Sequence, residues 1–468
     1  MAGQVTIDIL SDDVLLCIFY FVQFEVNRLW HLTWWHRLVH VCRRWQSVVF
    51  ESPNTLDLRI ICTPWTPAQL LGIWPPIPIF ITNTLVNTTD RPLFHYHFDA
   101  AIVHRNRVCE IDLCLAISEL QQLASTMQER FFALIHLQLR SSYLGHRILA
   151  LPNGFLGGSA PRLQSLTLIS IPFPALPKLL LSATDLVDLT LCDIPHYGYI
   201  SPEVFVLHLA MLANLKSLVI EFTLPLSRPD REGRRSQLPT RTKTRTILPA
   251  LTLFEFKGVN KYLEDFVARI DAPLLDSIGI TFEFFHRSIF DIPVLAQFIR
   301  RTTRFQALNE AHVDLGSNIV DVRSLPPTRI FDEKLGLRIT CNDVVWDPSS
   351  VAQVFTLFFL SVYTAEHLYV YGSGYLEELD DIESMHWPEI SHTFTAVKSL
   401  YLSEAFAQYI APAMQELRER AIDVLPALKS LFLEEFSVSG LLQDAFGQFL
   451  AARQLLGHPV AVSRWYWI

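Results

Sequence analysis

One six-residue pattern, apolar-x-x-apolar-x-apolar, recurs along most of this 468-residue chain. It reads Val108/Ile111/Leu113, Leu134/Leu137/Leu139, Leu163/Leu166/Leu168, Leu186/Leu189/Leu191, Leu215/Leu218/Ile220, Leu251/Phe254/Phe256 and Leu275/Ile278/Ile280. Beyond a gap it returns as Ala365/Leu368/Val370, Val397/Leu400/Leu402 and Leu428/Leu431/Leu433. The last two anchors alternate with their neighbours, as in a strand with one buried face. Outside the gap, consecutive last anchors lie 23 to 36 residues apart, Leu168 to Leu191 being the shortest step and Ile220 to Phe256 the longest. Helix-like segments (117–127, 203–213, 263–270) fill the intervals, and Pro161, Pro249, Pro273 and Pro426 each precede a copy by two residues. A unit of this length cannot bury its apolar face alone, so the copies must stack on one another.

The spacing resembles the strand signature of leucine-rich repeats, stretched and irregular. The expected fold class is α/β: a short helical module over residues 1–55, then over 56–468 a leucine-rich-repeat-like curved solenoid. Parallel strands would form one of its faces and helices the other. Before the first copy, Leu56, Leu58 and Ile60 alternate as a strand, and Thr66-Pro67 offers a cap for a short helix through Leu70, Leu71 and Ile73. Ile77, Ile79 and Ile81 alternate again, with Pro75, Pro76 and Pro78 arguing for an edge or irregular strand. The register blurs over 281–364, where 305–315 and 335–340 can each hold one degenerate strand.

The first fifty residues read as three short helices. Ser11 is a good N-cap, and Asp12 and Asp13 suit the positive end of a helix dipole. Nine apolar residues follow, Val14 to Val22, occupying every side of that helix. A second helix falls around 35–41. A third runs through Trp45, Val48, Val49 and Phe50, stopped by Pro53. So small a unit buries little of its own surface, so this apolar excess must be covered by the rest of the chain or by another protein.

Leu10-Ser11-Asp12-Asp13-Val14-Leu15-Leu16-Cys17-Ile18-Phe19, followed by Val41-Cys42-Arg43-Arg44-Trp45, resembles an F-box, in particular those numerous in mushroom-forming fungi. In that family the module docks on the small Skp-family adaptor of a cullin-RING ubiquitin ligase. The resemblance implies an adaptor surface of Leu10, Ser11, Val14, Leu15, Ile18, Phe19, Val41, Cys42 and Trp45. Ser11 stands where the family usually has proline. The segment 24–36 is longer than usual and holds Trp30, Trp34 and Trp35, which either pack internally or extend the docking surface.

Composition narrows the remaining possibilities. Half of the residues are apolar and 18% charged, which excludes a disordered or coiled-coil chain. Cys17, Cys42, Cys62, Cys109, Cys114, Cys192 and Cys341 are odd in number and contain no CxxC pair, which fits a reducing compartment, cytoplasmic or nuclear. The start lacks the basic residues of a secretory signal, so the sequon at Asn87 carries no expectation. The apolar stretch 351–365 is too short to span a bilayer. The formal charge of −9 argues against nucleic acid as a partner. A basic stretch over 227–246 (Arg228, Arg231, Arg234, Arg235, Arg241, Lys243, Arg245) and an acidic one (Glu377, Glu378, Asp380, Asp381, Glu383) read as solvated insertions. The basic stretch could also serve as an import signal, a phosphate contact or a regulatory segment.

No GxGxxG, Walker-type loop, HExxH or GxSxG is present. Gly154, Gly157 and Gly158 have no lysine to meet phosphate, and the pair His95 and His97 near Cys109 is a weak metal signal. No catalytic residue, cofactor or metal is therefore expected. The expected function is that of an adaptor with two ends, the helices holding a ligase scaffold and the strand face holding a protein to be ubiquitinated. The outward residues His136, Gln138, Thr167, Thr190, Val219, Glu255 and Tyr369 are the candidates for that face. The alternatives are a stand-alone interaction scaffold whose helices only cap the solenoid, and an enzyme with a nonstandard pocket.

Overall fold

The computed structural model describes residues 7–25, 34–53, 55–63, 66, 69–84, 97–142, 150–195, 198–222, 245–283, 292–305, 309–315, 319–324, 335–340, 365–372, 394–403, 406–407, 425–434 and 440–465. Two compact units emerge, Met1–Tyr199 and Ile200–Ile468. Both are α/β with mostly parallel strands.

The first unit opens with α1 (Asp12–Glu25), α2 (Trp35–Val39) and α3 (Arg43–Glu51). Ser11 Oγ accepts the Val14 N–H at 3.4 Å, as its N-cap position predicts. Six parallel strands follow in chain order: β1 (Ile60–Cys62), β2 (Ile79–Thr82), β3 (Val108–Leu115), β4 (His136–Ser141), β5 (Ser165–Ile169) and β6 (Asp188–Ile194). Parallel pairing requires crossovers, and α4 (Leu70–Ile73), α5 (His97–Val103), α6 (Ile117–Thr126) and α7 (Leu176–Leu180) lie in them. The leucine anchors are in register, Leu137 opposite Leu166 opposite Leu189, and each is at most 1% exposed. Each such side chain contributes roughly 1.5–3 kcal/mol over its exposed state.

Three sequence expectations need correction or narrowing here. The first strand starts at Ile60 rather than Leu56, because Asp57 adopts a left-handed φ of 45° that breaks the extended run. Leu56 and Leu58 are nevertheless buried. Of the edge or irregular strand that the prolines argue for, the irregular one is found: β2 lies between β1 and β3, its register with β3 shifts between Ile79 and Phe80, and all four of its residues are buried. Its prolines precede it, so none removes a ladder donor. The short helix begins at Leu70, while Thr66 Oγ1 accepts the Thr63 N–H at 2.9 Å. The Arg107 guanidinium gathers the carbonyls of Leu71, Pro75 and Ile77 at 3.0–3.2 Å, fixing the chain ahead of β2.

The second unit contains α8 (Pro202–Leu209), β7 (Ser217–Phe222), β8 (Thr246–Ile247), β9 (Leu253–Gly258), α9 (Asn260–Val267), β10 (Ile270–Asp271), β11 (Ser277–Glu283) and α10 (Pro293–Arg301). There follow β12 (Glu310–Leu315), β13 (Ile319–Arg323), β14 (Leu335–Thr340), β15 (His367–Gly372), β16 (Ser399–Leu402), β17 (Ser430–Glu434), α11 (Gly440–Leu455) and β18 (Ala461–Trp465). The main sheet of this unit runs β7-β9-β11-β14-β13-β12-β15-β16-β17-β18. Among the described residues the blurred interval holds β12, β13 and β14, where the sequence predicts two degenerate strands. Instead of adding β12 beside β11, the chain places it three positions away, returns antiparallel as β13, and fills the remaining place with β14. Antiparallel β13 (Ile-Val-Asp-Val-Arg) needs neither the leading anchor nor the crossover that define the repeat. For that reason the pattern misses it.

The basic stretch lies outside the described residues up to 244, after which Thr246 and Ile247 pair with Ile270 and Asp271. The acidic stretch, Trp30, Asn87, His95 and Cys341 also lie outside the described residues, as does the His97 side chain. No helix among the described residues is long and apolar enough to cross a membrane.

Candidate protein-interaction surfaces

Two surfaces emerge from these elements, one on the helical head and one on the strand faces. In the head, Arg44 donates from Nε to Asp12 Oδ1 at 2.9 Å and from Nη2 to the Leu10 carbonyl at 2.5 Å, clamping the start of α1 onto α3. The Trp45 ring lies 4.8 Å from Phe19. The Arg-Trp pair thus serves the fold of the head itself. Helical periodicity then divides α1. Leu15 and Phe19, four residues apart, are 0% and 1% exposed, whereas Val14, Ile18, Phe21 and Val22 form a neighbouring row 37–69% exposed.

The adaptor surface drawn from the sequence is therefore divided. Val14, Ile18, Val41, Ser11 and Cys42 are exposed, and Leu10 and Trp45 half-buried. Leu15 and Phe19 are sealed inside the head and cannot be contact residues without unfolding it. Phe21 was missed, although its place seven residues after Val14 puts it on the same face. Trp34 and Trp35 are buried, which answers the packing question for these two. The Trp35 ring packs edge-on against Trp74 at 5.3 Å and Phe50 at 6.0 Å, and its Nε1 donates to the Arg59 carbonyl at 3.2 Å. The helices α2 and α3 thus pack through Trp35 and Phe50 on Trp74 and on the chain just ahead of β1.

On the strand face of the first unit, register aligns Asp112, Gln138, Thr167 and Thr190 in one row and Glu110, His136, Ser165 and Asp188 in the next. All four candidates from this unit are half-exposed. Burial pushes the Cys109 thiol up to about 11 and the Cys62 thiol up to about 12, so neither is a nucleophile at neutral pH.

In the second unit, register brings Val219, Glu255, Gly279, Gly336, Arg323, His312, Tyr369, Tyr401, Phe432 and Ser463 into a single row across nine adjacent pairings. Val219, Glu255 and Tyr369, chosen separately from the sequence, share it. Its far end is an aromatic stack: His312 on Tyr369 at 4.3 Å, Tyr369 on Tyr401 at 4.1 Å, and Tyr401 on Phe432 at 4.4 Å, with interplanar angles of 3°, 13° and 6°. Such rings cover one another's faces and offer only edges to solvent, so the stack contributes chiefly to sheet stability.

At its head His312 is 4% exposed, and Nδ1 lies 2.5 Å from the Tyr371 hydroxyl. Burial lowers the His312 pKa from 6.5 to about 4. The folded state therefore holds the ring neutral, and the unfolded chain takes up a proton first as pH falls. This contribution to stability is complete above about pH 6.5 and is lost progressively toward pH 4, up to about 3 kcal/mol. Thermal melts at pH 7.0 and 4.5 are expected to show a smaller acid-induced drop for His312→Phe than for the wild type. An equal drop would rule the histidine out as its source.

The near end of the row differs. Gly279 and Gly336 are paired and leave bare backbone between Glu255 and Arg323, forming the floor of a pocket of about 380 Å³. The row beside it holds two ion-paired groups. Lys257 Nζ lies 2.9 Å from Glu221, and the buried Asp321 carboxylate receives Arg323 at 2.6 Å and Arg338 at 2.7 Å. The Glu255 side chain is exposed, its carboxylate has no hydrogen bond or ion pair among the described residues, and partial desolvation together with the nearby Glu221 raises its pKa. Among the described residues no group of three or more His, Cys, Asp or Glu is placed to hold a metal ion.

No protein-family model matches this chain, and no curated protein matches it. Among solved structures it is similar to the leucine-rich repeat-containing protein LegL7 from Legionella pneumophila, at 11% identity and a TM-score of 0.28. That match covers 84% of this chain and 97% of the other.

Proposed function

We propose that this chain is a protein-interaction scaffold acting as the substrate-recognition subunit of a cullin-RING ubiquitin ligase. The helical head docks on a Skp-family adaptor, and the strand faces bind the protein to be modified. The chain contributes no reaction of its own; it holds a substrate near a transfer catalysed by other subunits, a proximity effect. The observation that carries the reading is the exposed row Val14, Ile18, Phe21 and Val22 on a helix anchored by the buried Leu15 and Phe19, with Val41 exposed as well. Apolar side chains grouped in this way mark an interaction site, and the F-box resemblance, which includes Val14, Ile18 and Val41 but neither Phe21 nor Val22, points to the partner. Cytoplasm and nucleus are the compartments where such a ligase operates.

A second reading, a stand-alone scaffold whose head only caps the first strands, draws support from the burial of Leu15, Phe19 and Trp35. Size-exclusion chromatography of the full chain mixed with purified Skp-family adaptor separates the two. Co-elution as a 1:1 complex is expected, and separate elution at micromolar concentrations favours the cap.

A further inference from the structure

The one interruption in the outward row of the second unit is the Gly279–Gly336 pair, and everything needed to hold a ligand group surrounds it. The floor is backbone, so a long side chain can lie flat across it. An added Cβ at Gly279 would meet only Glu255 Cγ, at 3.5 Å, so the glycine is not demanded by crowding. Backbone strain does not demand it either, since its φ lies outside the left-handed region. The charges on the walls are unequal. Glu221 and Lys257 cancel, and the two arginines on Asp321 leave positive charge on the far wall, Arg338 two strands (about 10 Å) and Arg323 three strands (about 14 Å) from Glu255. The near wall has the Glu255 carboxylate, unpaired, with Glu221 behind it.

We infer that this pocket receives a lysine or arginine side chain of a partner protein, its stem over Gly279 and Gly336 and its charged head against Glu255. The inference deepens the proposed substrate-binding role of the strand face and rests on it. An aliphatic stem matches the bare floor, and a cation neutralises Glu255, the one carboxylate of the pocket without a partner among the described residues. An acidic side chain would meet Glu255 on one wall, where Lys257 is already paired with Glu221, and arginines already shared with Asp321 on the other.

The test uses the full chain and an array of decapeptides differing at one central position. The wild-type chain is expected to retain lysine and arginine peptides over the matched norleucine peptide by roughly fivefold or more. Glu255→Gln is expected to abolish that preference and Glu255→Lys to reverse it toward glutamate. Gly279→Val, which fills the floor with a residue strands favour, is expected to lose the preference while Glu255 remains. Absence of selection by the wild-type chain, or selection unchanged in Glu255→Gln, overturns the inference. Adaptor co-elution is measured on the same variants and is expected to be unaffected. Its loss in every protein would refute the ligase assignment while leaving the pocket result intact.

Discussion

Aspartate at both Val14 and Ile18 is expected to weaken adaptor capture at least 100-fold while shifting thermal unfolding by no more than a few degrees. Both side chains already face solvent in the free chain, 44% and 38% exposed, so a charge there costs the fold little. In a docked state the same charges would be buried without partners, a loss of several kcal/mol. Leu15→Asp is expected to behave differently although it is the adjacent residue. Leu15 is fully buried, so a carboxylate there unfolds the head, and capture disappears together with the structure. Pull-down yield and melting curves for the two variants should therefore separate contact from packing. If the Val14/Ile18 double variant binds like the wild type, the exposed row is not the docking surface.

Trp35→Ala carries the second large effect. The indole is 0% exposed, touches Phe50 and Trp74, and satisfies the Arg59 carbonyl just before β1. Truncation leaves a cavity of indole size and an unpaired carbonyl, a cost of about 3–5 kcal/mol. Urea unfolding of the first unit is expected to begin at markedly lower denaturant for Trp35→Ala. Trp35→Phe, which keeps most of the volume, should lose about half as much. A midpoint unchanged in Trp35→Ala would mean that the head does not lean on the first strands through this residue.

How far the sequence speaks for itself varies along the chain in a physically intelligible way. Where a strand repeats a local pattern, as at Leu137/Leu139 or Leu218/Ile220, the anchors are written in alternate residues of one short stretch, and the structure buries them as the pattern predicts. The order of β12, β13 and β14 was not legible, because strand adjacency is decided by pairing over distance and β13 carries none of the repeat's leading anchors. Likewise Asp57 acts through a single backbone angle, which composition and period do not register.

The interaction surfaces show the same division. That α1 had more apolar residues than its own unit could use was plain from Val14 to Val22. Which of them faced inward depended on α3 and on the clamp that Arg44 makes with Asp12 and Leu10. Val219, Glu255 and Tyr369 were recognisable one at a time as outward positions. Their membership of one row, and the pocket that two glycines open within it, required the register. The signal available in sequence was a glycine between apolar anchors, in Ile278-Gly279-Ile280 and again in Leu335-Gly336-Leu337.

The most direct test of the central claim is amide hydrogen–deuterium exchange on the full chain, alone and with excess purified Skp-family adaptor. The proposed docking predicts slowed exchange across residues 12–22 and 41–45, with the strands of the second unit unchanged. Identical exchange in α1 with and without adaptor, or protection confined to the strand faces, would contradict it.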